Sequence, residues 1–187
     1  MHRQGTNVTR LFQLADLCHD AGAEGDKKAV ERAESYLRQL LTLQTNHVPG
    51  LALLGSVYTM KGRDAFWPNV QLRLVHEGNR TMDQAVGLDP DNLQARLIRA
   101  FNNAHMPDFL GRSSTVQADL AWLGARVEKN PDILSPKQRQ TLALHQGRLL
   151  KKQHRPAEAL KIWETAHALQ PGSKVASELA EEIAKAR

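Results

Sequence analysis

The chain has 187 residues, 41% hydrophobic and 24% charged, which excludes a disordered polymer and leaves enough length to bury a core. The one cysteine, Cys18, excludes a disulfide framework and a four-thiolate zinc site, and the net charge of +5 leaves an anionic partner open without demanding one. No apolar run approaches the roughly 20 residues of a bilayer span. Residues 1–10 are polar and lack a secretory apolar stretch, so the expected compartment is the cytoplasm, although a leader removed beforehand leaves no trace.

Alternating apolar runs are scarce, and Ala, Leu, Gln, Lys, Arg and Glu dominate, which favours helix. Glycines and prolines punctuate the chain, with helical apolar spacing between them. In chain order the pattern predicts nine helices, at about 7–22, 27–44, 48–62, 69–87, 92–105, 113–129, 136–153, 156–169 and 174–186. Connections this short make neighbours antiparallel hairpins. Asp89-Pro90-Asp91-Asn92 offers side-chain oxygens to the free N–H groups of the helix that follows. Ser135-Pro136 sets a capping hydroxyl before a proline at the first helical position. Gly62 is expected to end its helix in the left-handed conformation. No linker divides the chain, so residues 1–187 are expected to form one domain.

The spacing repeats itself. Leu51, Leu54, Gly55, Tyr58 and Gly62 share their intervals with Leu11, Leu14, Ala15, Cys18 and Gly22. A second signature runs Ala159, Trp163, Ala166, Pro171. It returns as Gly78, Met82, Ala85, Pro90, and with substitutions as Ala33, Leu37, Leu40, Thr45. Ala118, Trp122 and Ala125 follow it too, with Pro131 one residue late. In each set large residues make one helix face, and a small residue lets the partner helix approach.

These residues resemble the tetratricopeptide repeat (TPR) family, best at Leu54-Gly55, Tyr58, Gly62 and at the run from Ala159 to Pro171. The resemblance implies a right-handed all-α solenoid of about four helical hairpins plus a C-terminal capping helix. Such hairpins bury their apolar faces only by stacking. The repeat-ending positions Thr45, Pro90, Pro131 and Pro171 lie farther apart than the family period of about 34 residues, so the repeats are extended. The third hairpin keeps only apolar spacing, at Leu97, Ala100, Phe101 and Ala104. On the last segment Val175, Leu179 and Ile183 share one face, and Glu178, Glu181, Glu182, Lys185 and Arg187 mark the other.

Little points to catalysis. The eight histidines include no His-x3-His pair and no HExxH run, so no metal is expected. His145 and His154 could share a helix only if it ran through Gln153. The resemblance places Cys18 where the family has a large aromatic, so it is expected to be a small buried hydrophobe, and it is not expected to be a nucleophile because the neighbouring His19 points away around the helix. Phosphate-cradling glycine loops are absent. No catalytic residue and no cofactor is assigned.

Two features stand out. Phe66-Trp67-Pro68 lies inside the extended second repeat. Both aromatics cannot face one core stripe, so they either plug a gap between hairpins or offer a partner an anchor. Asn102, Asn103 and His105 on the next repeat, with Arg73 and His76 before it, form either a polar patch or an inter-helix hydrogen-bond network. The second feature is a stretch from Ile133 to Ala157 with six Lys or Arg and no Asp or Glu. The family resemblance places Arg148, Lys151 and Lys152 toward the concave groove. Leu144, Arg148, Lys151, Lys152 and Arg155 are therefore the partner-binding candidates, with Phe66, Trp67, Asn102, Asn103 and His105 secondary. Leu142, Leu149 and Leu150 are expected to pack inward.

The family's carboxylate clamp is not reproduced, because Phe12, Asp16, Ala52 and Ser56 stand at the corresponding positions, so chaperone-tail binding is not carried over. The expected function is a non-enzymatic scaffold holding a protein or peptide, acidic if the basic wall is used. The alternatives are a nucleic-acid-binding helical repeat, disfavoured because the tryptophans do not interleave with cations, and an accessory subunit of an enzyme. Oligomeric state is left open.

Overall fold

The computed structural model describes the backbone from His2 and side chains from Asn7, so the side chain of His2, one of the eight histidines, lies outside the described residues. Among the described residues there are nine α-helices, two three-residue 3₁₀ turns and no strand. The helices are α1 (His2–Ala23), α2 (Lys27–Leu43), α3 (Val48–Asp64), α4 (Pro68–Leu88), α5 (Leu93–Ala104), α6 (Ser113–Lys129), α7 (Pro136–Lys152), α8 (Pro156–His167) and α9 (Lys174–Ala186). The 3₁₀ turns are Asp108–Leu110 and Pro131–Ile133. The expected all-α chain of helices is what folds. Boundaries agree closely except at the start of α1, which begins before any apolar periodicity. The chain falls into two compact units, Met1–Asn102 and Asn103–Arg187, with the boundary inside α5.

In the first unit α1 packs on α2, α2 on α3 and α3 on α4. Ala15, Val30, Ala33, Leu37, Leu53, Val57 and Tyr58 belong to one core cluster, and Ala52, Ala85, Val86 and Ala95 form another. The repeat positions of α2 and α4 are buried: Ala33, Leu37, Leu40, Met82 and Ala85 are each 0% exposed. The α3–α4 seam shows why small residues recur. A Cβ on Gly55 would stand 2.6 Å from the Gly78 carbonyl oxygen, and a Cβ on Gly78 would collide with the Gly55 carbonyl in turn. Backbone therefore meets backbone there.

Gly62 corrects an expectation. It does not end α3 in the left-handed region; it lies inside α3, where a Cβ would come within 3.0 Å of the Gln71 carbonyl oxygen on α4. Close approach, not conformational freedom, calls for glycine there. Cys18 is only half-buried against the core, and Leu14 stays 43% exposed.

In the second unit α7, α8 and α9 pack in succession around Trp163, which is 0% exposed. Its indole lies directly over Gly147, and its Nε1 donates to the Leu144 carbonyl at 3.2 Å. Gln140, also 0% exposed, donates to the Ala166 and Gln170 carbonyls at 3.1 Å each, and its Oε1 accepts from the Ser173 hydroxyl at 2.6 Å. These bonds tie α7 to the turn that launches α9, with every buried polar atom of that amide satisfied. Ser135 caps α7 as expected, with Gln138 completing a reciprocal box. Asn92 accepts from the Ala95 N–H at 3.1 Å at the start of α5. Helix α7 stops at Lys152, and His154 takes φ 61°, so His145 and His154 do not share a helix.

The third repeat signature is out of register. Ala118 and Ala125 are exposed and Trp122 is half-buried; the buried residues of α6 are Asp119, Leu120 and Leu123. Counted back from Pro131 at the interval that separates Ala159 from Pro171, the small position falls on Asp119. The late proline marked a one-residue slip. Trp122 instead carries the Arg126 guanidinium 3.3 Å above its ring centroid, a cation–π contact.

Candidate functional site

In the first unit, a polar chain crosses α1, α3 and α5. Ser56 Oγ lies 2.8 Å from His19 Nε2. The Asn102 amide donates to Ser56 Oγ at 3.0 Å and to Thr59 Oγ1 at 2.7 Å, and Thr59 Oγ1 donates to the Ser56 carbonyl at 2.7 Å. Asp20 lies 3.8 Å from His19 Nδ1, beyond hydrogen-bond range. Ser56 is 2% exposed, so no substrate reaches its hydroxyl. The arrangement is a structural staple, and it settles Asn102 in the inter-helix network rather than in an open patch. Arg73 and His76 are exposed. His19, Ser56 and Thr59 were not among the sequence candidates.

Phe66 and Trp67 are not a gap plug. They are 84% and 65% exposed, stacked edge-on at 5.1 Å in the turn between α3 and α4. Pro68 opens α4, and the Gln71 amide donates to the Ala65 carbonyl at 2.7 Å, fixing the backbone of that turn. The exposed Phe109, at 82%, escaped the sequence reading altogether. A lone aromatic in a loop carries no periodic signal.

The basic stretch is in the second unit, and four of its six cations, Arg148, Lys151, Lys152 and Arg155, are paired with carboxylates of the same chain. Arg148 Nε donates to Glu182 Oε1 at 2.9 Å, and its terminal nitrogen reaches Glu178 Oε2 at 3.4 Å. Lys151 lies 3.6 Å from Glu182. Lys152 Nζ donates to both Asp108 oxygens, at 2.9 and 3.2 Å, and Arg155 makes two bonds of 2.6 Å to Glu158. Glu178 and Glu182, read as a solvated face of the last helix, are thus ion-pair partners. Burial alone would raise the Glu182 carboxyl pKa, but Arg148 and then Lys151 hold it below its ordinary value. Leu144 is a correction: at 2% exposed it belongs to the core, and no partner can touch it. Leu142 is buried, and Leu149 and Leu150 are partly so.

Beside these ion pairs lies a cavity of about 290 Å³. Ala104, Met106, Pro107, Val116 and Leu149 supply its apolar lining. Asn103, Asp108, Arg112, Ser113, Gln117, Arg148 and Lys152 supply polar groups. Of the sequence candidates it therefore gathers Asn103, Arg148 and Lys152. Arg155 and Lys151 lie outside its lining. Asn103 is 2% exposed. His145 also lines the cavity, and His105 sits edge-on to it with centroids 5.0 Å apart. Burial, then His105 and Arg148, lower the His145 pKa to about 3, so its ring is neutral at ordinary pH. Desolvation and Arg148 also lower the His105 pKa. The Lys152 ammonium holds the Asp108 carboxyl below its usual range, with Ser113 adding to the effect. Among the described residues no group of three or more His, Cys, Asp or Glu could hold a metal ion. No described helix is long and apolar enough to cross a membrane.

The successive helical hairpins and the repeat positions at their seams define a TPR-like helical-repeat fold. The chain is similar to the crystal structure of a thermophilic TPR protein of Thermus thermophilus, with a TM-score of 0.58, 18% identity and 98% of each chain covered. No family model and no curated protein matches the sequence.

Proposed function

We propose that this chain is a non-enzymatic interaction module that holds a protein or peptide through the cavity of its second unit. TPR-like architecture supports a protein-interaction scaffold in general. The observation that carries the finer reading is the composition of the cavity wall, where apolar Met106, Val116 and Leu149 stand with Arg112, Lys152 and buried Asn103. Such a surface fits an extended segment that brings a carboxylate and a small apolar side chain. Arg148 is anchored from behind by Glu178 and Glu182, so its guanidinium is held in place before any ligand arrives. The carboxylates nearest the cavity are committed to ion pairs, which supports binding over acid–base work.

Nucleic acid is the weaker reading. Four of the six cations of the basic stretch are matched by carboxylates, which reduces the counterion release that drives phosphate binding. A random peptide library with free C-termini, selected on the wild type and counter-selected on Lys152→Glu, tests the proposal. Enriched peptides should carry carboxylates and lose binding on the variant. No enrichment, or enrichment indifferent to Lys152, overturns it. Two further parts of the proposal are that residues 1–187 form one domain and that the chain works in the cytoplasm. Cell fractionation tests the location.

A further inference from the structure

We infer that Asp108 is a built-in competitor for the cavity, occupying the position that a partner's carboxylate takes and leaving when it arrives. The inference rests on the peptide-binding reading above and concerns how that site is regulated. Asp108 lines the cavity from the 3₁₀ turn Asp108–Leu110, and its carboxylate is received as a ligand's would be. Both of its oxygens face the Lys152 ammonium, at 2.9 and 3.2 Å, and Oδ1 accepts from the Ser113 hydroxyl at 3.3 Å, on the first residue of α6. Lys152 and Ser113 both line the cavity. The two donors best placed for an incoming anion are already engaged by one from the same chain.

The turn that carries Asp108 is built to let go. Its Phe109 side chain is 82% exposed, and no residue of the turn is buried. Gly111, at φ 69°, closes it in the left-handed region, where glycine carries no strain. The Lys152 and Asp108 side chains are 66% and 71% exposed, so water screens their attraction. Pairs of this kind hold only a few-fold excess of closed over open states. A ligand carboxylate therefore displaces Asp108 to solvent with a modest loss of apparent affinity, and takes over both Lys152 and Ser113.

Two probes distinguish the source of the carboxylate. One is acetyl-Ala-Ala-Ala-Leu with a free C-terminus; the other is acetyl-Ala-Glu-Ala-Leu amide, whose only carboxylate is the side chain. Each is titrated into the full chain while backbone amide shifts of residues 106–116 are followed. Asp108→Ala should bind at least one probe about fivefold more tightly than the wild type. The wild type should show shifts at residues 107–111 as the turn releases. Adding Lys152→Gln to Asp108→Ala should abolish binding, while circular dichroism confirms that the helices persist. Equal affinity of wild type and Asp108→Ala overturns the competitor role and leaves the binding reading standing. Failure of both probes to bind either protein overturns both.

Discussion

Single atoms decide the tightest contact in the first unit. Gly55 and Gly78 leave no room for a methyl group on either side of the α3–α4 seam, and the obstacle is a carbonyl, which cannot rotate aside. Gly55→Ala should destabilise by about 2–4 kcal/mol in urea denaturation, as an overpacked core position does. Gly87, on α4 with nothing within 4 Å of a built Cβ, is the control. There alanine should stabilise by about 0.5–1 kcal/mol. His145 supplies a second prediction at this scale. Its folded-state pKa, about 3, lies below the ordinary histidine value of 6.5. The folded state therefore binds fewer protons than the unfolded chain below pH 6.5. Stability is full above that value and falls as pH drops from 6.5 toward 3. Between pH 7 and pH 5 the loss from this residue should be about 2 kcal/mol. Urea midpoints of wild type and His145→Gln across that range check it; the variant should show a smaller drop, and an equal drop would show that this imidazole titrates freely. Glu34, Glu182 and Asp108, whose pKa values are lowered, act only at lower pH.

Helix ends hold the clearest opportunities at the next scale up. His154 adopts φ 61° just beyond the α7 C-terminus, a conformation that suits glycine. Its side chain is exposed, so His154→Gly should raise stability by about 1 kcal/mol, read as a higher thermal midpoint. Ser135→Ala removes the hydroxyl that accepts from the Gln138 N–H at 3.2 Å and should cost about 1 kcal/mol in the same assay. Elements were also what the sequence disclosed best. Apolar spacing and proline punctuation are local, so every helix could be located from its own residues. Ion pairing is not local: Lys152 meets Asp108 across 44 positions, and Arg148 meets Glu182 across 34. A stretch empty of acid residues thus read as a bare basic wall. Leu144 was misplaced for a related reason. Helical periodicity gives a face, but only the docking of α8 shows which face Trp163 covers. Asn103, Arg148 and Lys152 were legible as candidates, whereas Arg112 and Asp108 were not, since only folding brings their loop beside α7.

The molecule as a whole presents two compact units and one helix, α5, in which the boundary falls. The single-domain proposal has a direct test, because each unit has its own fluorophore. Trp67 belongs to the first unit and Trp163 to the second. In a variant whose sole tryptophan is Trp163, Trp67 and Trp122 being replaced by phenylalanine, Trp163 emission and circular dichroism should give the same urea midpoint if residues 1–187 cooperate as one domain. Separated midpoints would mean two folding units. Trp67 is already wet, so its emission would change little and circular dichroism stands in for it, whereas Trp163 should shift strongly to the red.

The glycine contact at the α3–α4 seam has a mechanical consequence. Where two main chains touch with no side chain between them, there are no rotamers to rearrange. The two helices cannot slide past each other by exchanging one interlocked set of knobs for another. That hairpin should behave as a stiff plate, and amide hydrogens along the inner face of α3 should be among the slowest in the first unit to exchange with deuterium.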